Sequence, residues 1–332
     1  MADPSSDLFA DLIGQPRAVA LLEASLARRR LAPAYLFAGP EGVGRRLAAL
    51  RFLEGVLRLP PQAADPVGLR LRLVQGNHPD LLWVEPTYQH QGRLVPASQA
   101  EAEGVNRRNP PQLRLEQVRE VSRFLARRPV EASHGLVVIE AAEAMAEAAA
   151  NALLKTLEEP GQGILLLISA APDRLLATIR SRCQQVPFVR LPPPLVEEVL
   201  SRGEEGLRPA QEDPLELREL AAGSPGALLH HRRQWQGLPE GVAERLLDPG
   251  VGPLAALELA RELSESLDGE QQLWLLDWWQ LALWRRRRDA DALRRIERLR
   301  AQLKAYVQPR LAWEVALLDL GGMGGGRSGA QR

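Results

Sequence analysis

The chain has 332 residues, 45% of them hydrophobic and 25% charged, and its 42 basic side chains are balanced by 42 acidic ones. That length exceeds one ordinary core and implies about two or three domains, while the even charge excludes a global pull towards nucleic acid or acidic lipid. The lone Cys183 excludes an intramolecular disulfide and any cysteine-cluster zinc site. The first residues, Met1 to Asp7, lack the basic and apolar regions of a signal peptide, and no run reaches membrane-spanning length. A soluble, cytoplasmic chain is expected.

From Leu21 to Arg30 apolar residues recur at helical spacing, and Ala34 to Ala38 reads as a short buried strand. It runs into Gly39-Pro-Glu-Gly42-Val-Gly44-Arg45-Arg46, after which Leu47 to Leu53 continue as a helix. Strand, glycine loop and helix in that order are the frame of a phosphate loop, whose glycines let backbone N–H groups reach phosphates. Two chemical positions depart from it. The position that normally holds Lys is Arg45, and the Ser/Thr that ligates magnesium is Arg46. A guanidinium is bulky and cannot bind Mg²⁺. Only Lys155 and Lys304 are lysines, so a general preference for arginine accounts for Arg45; it does not account for Arg46. The frame is predicted to survive without its catalysis.

Pro60 to Gly76 reads as a loop or partly ordered insertion, Asp80 to Glu85 as a strand, and Gln89 to Pro111 as a mobile surface excursion. Leu115 to Arg127 has helical period. Gly135 to Glu140 is an apolar run ending in an acid, followed by an alanine-rich helix over Ala144 to Leu157 and a buried strand over Ile164 to Ser169. Alternating strands and helices predict an α/β domain with a parallel sheet between helical layers. Beyond Pro192-Pro193-Pro194 no convincing strand occurs and leucine-rich helices take over. The glycine-rich stretch from Gly321 to Arg332 is expected to be disordered.

Four stretches in order resemble the clamp-loader branch of the AAA+ ATPases, and within it the delta-prime type of bacterial DNA polymerase III subunit. They are Asp11-Leu12-Ile13-Gly14-Gln15 before the first helix, Asn151 to Pro160 (Asn-Ala-Leu-Leu-Lys-Thr-Leu-Glu-Glu-Pro), Ser181-Arg182-Cys183, and Ala222 to Leu228. Each alone is weak; together they span roughly residues 8 to 230. The resemblance implies a RecA-like AAA+ domain over 1–192, a small helical lid over 193–237, a helical collar over 238–320 and a tail over 321–332.

The resemblance also assigns roles. Glu140 stands where an active member has the first of two strand-end acids, but Ala141 replaces the second, so nothing beside it polarises water. Glu140 alone either holds magnesium or is a solvated acid capping the next helix. Ser169 occupies the first-sensor position, although a Ser capping the Pro172 turn is the favoured reading. Gly226 stands where a nucleotide-dependent subunit carries a second-sensor Arg. The degenerate loop of Gly39, Gly42, Gly44, Arg45 and Arg46, with Glu140, Ser169 and Gly226, implies a subunit that neither hydrolyses ATP nor binds it well. Arg182, by contrast, lies in an intact motif and is implied to be an arginine finger acting in trans on a neighbour's ATP. The competing reading is a surface arginine in an arginine-rich chain. Ser181 and Cys183 orient and pack that turn.

No cofactor is expected in this chain: ATP belongs to the neighbouring subunit, and no cysteine between Leu53 and His78 can build the family's zinc module. No metal site is assigned, and His78 in His78-Pro79-Asp80 is a turn residue. The implied partners are tau/gamma and delta clamp-loader subunits, the sliding clamp indirectly, and primer-template DNA through the complex. Trp274, Trp278, Trp279 and Trp284 crowd one helix, for which a subunit interface and an intradomain core are both open. Arg285 to Arg288 close that helix, where a solvated terminus is preferred over a phosphate contact. The rival functions are an ATP-hydrolysing tau/gamma-like motor and a diverged AAA+ scaffold in repair.

Overall fold

The computed structural model of the protein describes residues 8–59, 66–100, 102–105, 110–159, 161–203, 213–247, 252–305 and 307–321. Of the tail expected to be disordered, all but Gly321 lies outside them. The chain packs as two units, residues 1–203 with 224–226, and residues 204–223 with 227–332.

The first unit runs α1 (Pro16–Ala27), β1 (Ala34–Ala38), α2 (Arg45–Leu57), α3 (Pro66–Val74), β2 (Leu81–Val84), β3 (Thr87–His90), β4 (Arg93–Pro96), α4 (Leu115–Leu125), β5 (Gly135–Ile139), α5 (Glu147–Glu158), β6 (Gly163–Ser169), α6 (Ala177–Arg180), β7 (Gln184–Pro187) and α7 (Pro193–Arg202). Five strands form a parallel sheet in the order β2-β5-β6-β1-β7. Its central strands β5 and β6 are buried at every position, as unbroken aliphatic runs must be when helices cover both faces. Side chains alternate between the faces. Tyr35, Phe37, Leu136, Val138, Leu166 and Ile168 join Leu22 of α1 and Phe52 of α2 in one core. Leu36, Val137, Ile139, Leu165 and Leu167 join Val118 of α4 and Leu153 of α5 in the other.

The expected strands match β1, β2, β5 and β6 within a residue or two, and β7 adds a strand that the sequence does not announce. Gln184-Gln185-Val186-Pro187 has no apolar run, because an edge strand has one neighbour and tolerates polar residues and a terminal Pro. One expectation is sharpened and one needs correction. The insertion read as a loop or partly ordered contains α3, held because Leu69 and Leu73, one turn apart, enter the core and Arg70 Nε donates to Glu54 at 2.9 Å. The excursion from Gln89 contains an antiparallel hairpin, β3 with β4, turned by Gln91 and Gly92 at φ 47° and 79°; that pair of left-handed residues suits a two-residue hairpin. Val95, Ala100 and Val105, with Tyr88 packed on them, give it a small core of its own.

Glu54 is fully buried on α2 and is met by Arg51, Arg58 and Arg70. A buried carboxylate is tolerated only with such partners. Likewise Asp80 accepts from the N–H groups of Val130, Glu131 and Ala132, each at 2.7 Å. Burial alone would raise its pKa, and these three donors outweigh that and lower it. His78 accepts the Asp80 N–H through Nδ1 at 3.2 Å, so the His78-Pro79-Asp80 turn is a brace between β2 and the segment before β5.

The second unit holds α8 (Leu215–Ala221), most of α9 (Pro225–Gln236), α10 (Val242–Leu247), α11 (Pro253–Ser266), α12 (Gly269–Arg287), α13 (Ala290–Lys304) and α14 (Pro309–Gly321). No strand occurs in it among the described residues. Asp268 and Gln271 form a capping box at the start of α12, satisfying two of its free N–H groups. Three of the four tryptophans of α12 are intradomain core. Trp279 stacks on Trp313 of α14 at 6.0 Å and donates to Leu246 O at 2.8 Å; Trp278 packs on Trp235 of α9; Trp274 donates to His231 Nδ1 at 3.0 Å. Only Trp284 stays exposed, at 45%. Beside it, Arg285 pairs with Glu219 of α8. Among the described residues no helix is long and apolar enough to cross a membrane.

Candidate functional site

The glycine loop joins β1 to α2 along the C-terminal edge of the sheet, the side where open parallel sheets place ligand loops. Gln15 fastens it. Buried ahead of α1, its amide donates to Val43 O at 3.2 Å and Val189 O at 2.7 Å and accepts from Val189 N at 3.0 Å. The glycine-glutamine pair noted in the sequence therefore ties the loop to the exit of β7. Gly39 is required by close approach, since a Cβ there would stand 2.3 Å from Phe188 O.

The side chains at the phosphate end do not make a magnesium site. Arg46 Nη1 donates to Glu140 Oε1 at 2.9 Å and Oε2 at 3.2 Å, and its guanidinium lies 4.8 Å over the Trp83 ring. The residue in the metal-ligand position and the acid that would share the metal are ion-paired to each other. Burial pushes the Glu140 carboxyl upward in pKa, Glu85 adds to this, and Arg46 opposes it. Glu140 caps no helix: the short helical turn over Ala142–Ala144 has Ala141 as its N-cap, without a side-chain bond. The capping role is corrected by the pairing with Arg46.

Arg45, the first residue of α2, is 8% exposed. Burial lowers its pKa, against the fields of Glu143, Glu41 and Glu140, and its Nη1 has no hydrogen-bond partner among the described residues. Ser169 ends β6 fully buried; its carbonyl accepts the Gly39 N–H at 3.1 Å, while its hydroxyl has no partner among the described residues. The Pro172 turn has no side-chain cap, which corrects the capping reading. Ser224 and Gly226 pack on the loop as part of the first unit. Ser224 Oγ donates to Glu41 O at 2.6 Å and Gly226 N to Gly42 O at 3.0 Å. A Cβ on Gly226 would stand 2.6 Å from Gly42 Cα. Any second-sensor side chain is thus excluded by contact. The side chains present do not fit a magnesium ion: Arg46 holds the ligand position and is paired to Glu140.

Glu143, Trp83 and Glu158 were missed from the sequence. Glu143 Oε1 accepts the Ala170 N–H at 2.9 Å, and its nearness to the strand-end Glu140 was the available signal. Glu158 lies in the Asn151 to Pro160 stretch, which was a signal without a role for it, and Trp83, which meets a distant arginine, had no signal.

Arg182 is a different matter. Ser181-Arg182-Cys183 comes directly after α6, and the backbone N–H groups of Ser181, Arg182 and Cys183 donate to Ala177, Ile179 and Arg180. Cys183 is buried, and desolvation pushes its thiol from 9.0 up to about 12, so it packs the turn and does not react. Ser181 Oγ donates to Thr178 O at 3.2 Å. Arg182 is exposed, with Nη1 on Thr178 O at 3.0 Å and Nη2 on Glu158 Oε1 at 2.8 Å. A cation on a rigid turn is thereby presented at the surface.

Residues 14–192 match the family described as DNA polymerase III, delta subunit, and residues 195–320 match the Cyanobacterial DNA polymerase III delta prime, C-terminal domain. DNA polymerase III subunit delta' of Pseudomonas aeruginosa is 35% identical over 267 residues, covering 78% of this chain and 73% of that protein. The chain belongs to the DNA polymerase III delta-prime family. The delta' subunit of Bacillus subtilis is 34% identical over 189 residues, 56% of this chain and about half, 51%, of that protein. Among solved structures, a gamma subunit-related protein of DNA polymerase III from Thermotoga maritima superposes with a TM-score of 0.53 at 16% identity, covering 92% of this chain and 99% of that one. That likeness shows the fold: a parallel sheet between helices, followed by further helices. At Arg46 this delta-prime homologue departs from the phosphate-loop pattern, which has Ser or Thr there.

Proposed function

We propose that this delta-prime family member is an ATPase-inactive wall of a clamp-loader complex that completes a neighbouring subunit's ATP site with Arg182. The observation that carries this is the contrast between two arginines. Arg46 lies on this chain's own loop and is paired to the strand-end acid Glu140; Arg182, although paired to Glu158 at 2.8 Å, stands away from that loop on a solvent-facing turn fixed by backbone bonds, where a group working in trans must be. The guanidinium would spread the charge that develops on a transferred γ-phosphoryl group.

The partners under this reading are tau/gamma and delta subunits, with the sliding clamp and primer-template DNA reached through the complex, in the cytoplasm. The helices after residue 237 serve as a collar. Leu311, Val315 and Leu318 of α14, at helical spacing, are each more than a third exposed and supply an apolar stripe for a neighbour. The test is the ATPase of the reconstituted complex. Arg182→Ala lowers it while leaving this subunit folded, and micromolar Mg-ATP binding by the isolated chain would contradict the inert reading.

A further inference from the structure

Arg182 has a partner on its own subunit, and the partner comes from the other conspicuous motif of the chain. Glu158 is the last residue of α5, and its Oε1 lies 2.8 Å from Arg182 Nη2. Nη1 of the same guanidinium is on Thr178 O at 3.0 Å. Both terminal nitrogens are therefore engaged within the chain. Arginine has five N–H donors, so donors remain, but the carboxylate cancels the charge that a neighbour's phosphate would need. The side chains are 38% and 53% exposed, and a pair so solvated is weak. A phosphate offers a doubly charged acceptor with bidentate geometry and competes successfully.

Among the described residues Glu158 pairs with Arg182 and with no other cation. Arg180, two residues before Arg182, has its own acid in Asp173 at 2.6 Å. Cys183 and Ile179 are buried and the turn's N–H groups are satisfied, so the backbone under Arg182 is fixed while its side chain has two acceptors to choose between.

We infer that Glu158 is a rest-position latch for Arg182: it draws the guanidinium back onto this subunit's own α5 and yields it when a neighbour presents a nucleotide phosphate. This rests on the finger reading. In that scheme Glu158 is a positioning residue that raises the phosphate occupancy needed to engage the finger, and so lowers idle turnover.

The experiment measures ATPase of the reconstituted complex over a range of Mg-ATP, without and with primed DNA, for wild type, Glu158→Gln, Glu158→Asp, Arg182→Ala and the Glu158→Gln/Arg182→Ala double variant. Glu158→Gln keeps the shape and removes the charge. It is expected to raise DNA-independent turnover and lower KM about two- to fivefold, the factor an exposed ion pair is worth. Glu158→Asp retains the wild-type behaviour, and the gain vanishes in the double variant. If Arg182→Ala lowers activity but Glu158→Gln leaves it unchanged or lowers it, the latch is overturned and the finger stands. If Glu158→Gln raises turnover equally without Arg182, the latch is overturned as well. If Arg182→Ala matches wild type, the finger reading itself falls.

Discussion

Arg46 and Glu140, 94 residues apart, meet at 2.9 Å across the top of the sheet, so the side chain in the magnesium-ligand position neutralises the acid that would have shared the metal. Under the proposed inert reading, failure to bind nucleotide is a property of two residues acting on each other. Calorimetric titration of the isolated chain with Mg-ATP is expected to show no micromolar binding. Arg46→Ala removes a pair whose Arg is 59% exposed, so unfolding free energy changes by no more than about 1 kcal/mol. A larger loss in denaturant unfolding would show that the pair holds the fold.

Gly226 reports on the packing of its segment against the loop. With the virtual Cβ 2.6 Å from Gly42 Cα, backbone meets backbone and no flexible side chain can swing aside. Gly226→Ala is expected to destabilise by about 1–3 kcal/mol, measured as a lower denaturation midpoint at constant slope. A stability equal to wild type would mean that the segment is not held there.

Glu54 tests the buried ion cluster on α2. Glu54→Ala removes the buried acid shared by Arg51, Arg58 and Arg70, of which Arg51 keeps Asp11 and the other two are more solvated. The expected loss is about 3 kcal/mol, at the lower end for breaking a buried pair because two partners reach water. Loss of the Arg70 contact should also raise hydrogen exchange in α3.

Cys183 is the only thiol, which makes its titration clean. The folded chain holds its proton up to about 12 against an ordinary 9.0, so the unfolded chain releases its proton first. The contribution to stability is full below about pH 9 and falls as pH rises towards 12. A thiol reagent at pH 8 is therefore expected to label the chain only after unfolding. Rapid labelling of the native chain would contradict the packing of the Ser181-Arg182-Cys183 turn.

The sheet was legible where burial demands an unbroken aliphatic run, as in Leu-Val-Val-Ile before Glu140 and Ile-Leu-Leu-Leu-Ile before Ser169. It was illegible at β7, because an edge strand of Gln and Pro satisfies its ladder with one partner. α3 was hidden because, among the described residues, only Leu69 and Leu73 carry its core contact. At the site, the sequence marked Arg45, Arg46 and Arg182 by chemistry. It could not show that Arg46 reaches Glu140 or that Arg182 reaches Glu158, since both pairs form only once parallel packing has brought distant strand and helix ends together.

The most direct measurement is the DNA-stimulated ATPase of the reconstituted complex carrying Arg182→Ala, with thermal unfolding of the isolated variant as a control. The account predicts an unchanged fold and a loss of turnover at the completed site approaching the factor of about 10³ or more that an arginine supplied in trans confers. Wild-type turnover from a complex that assembles normally would contradict it.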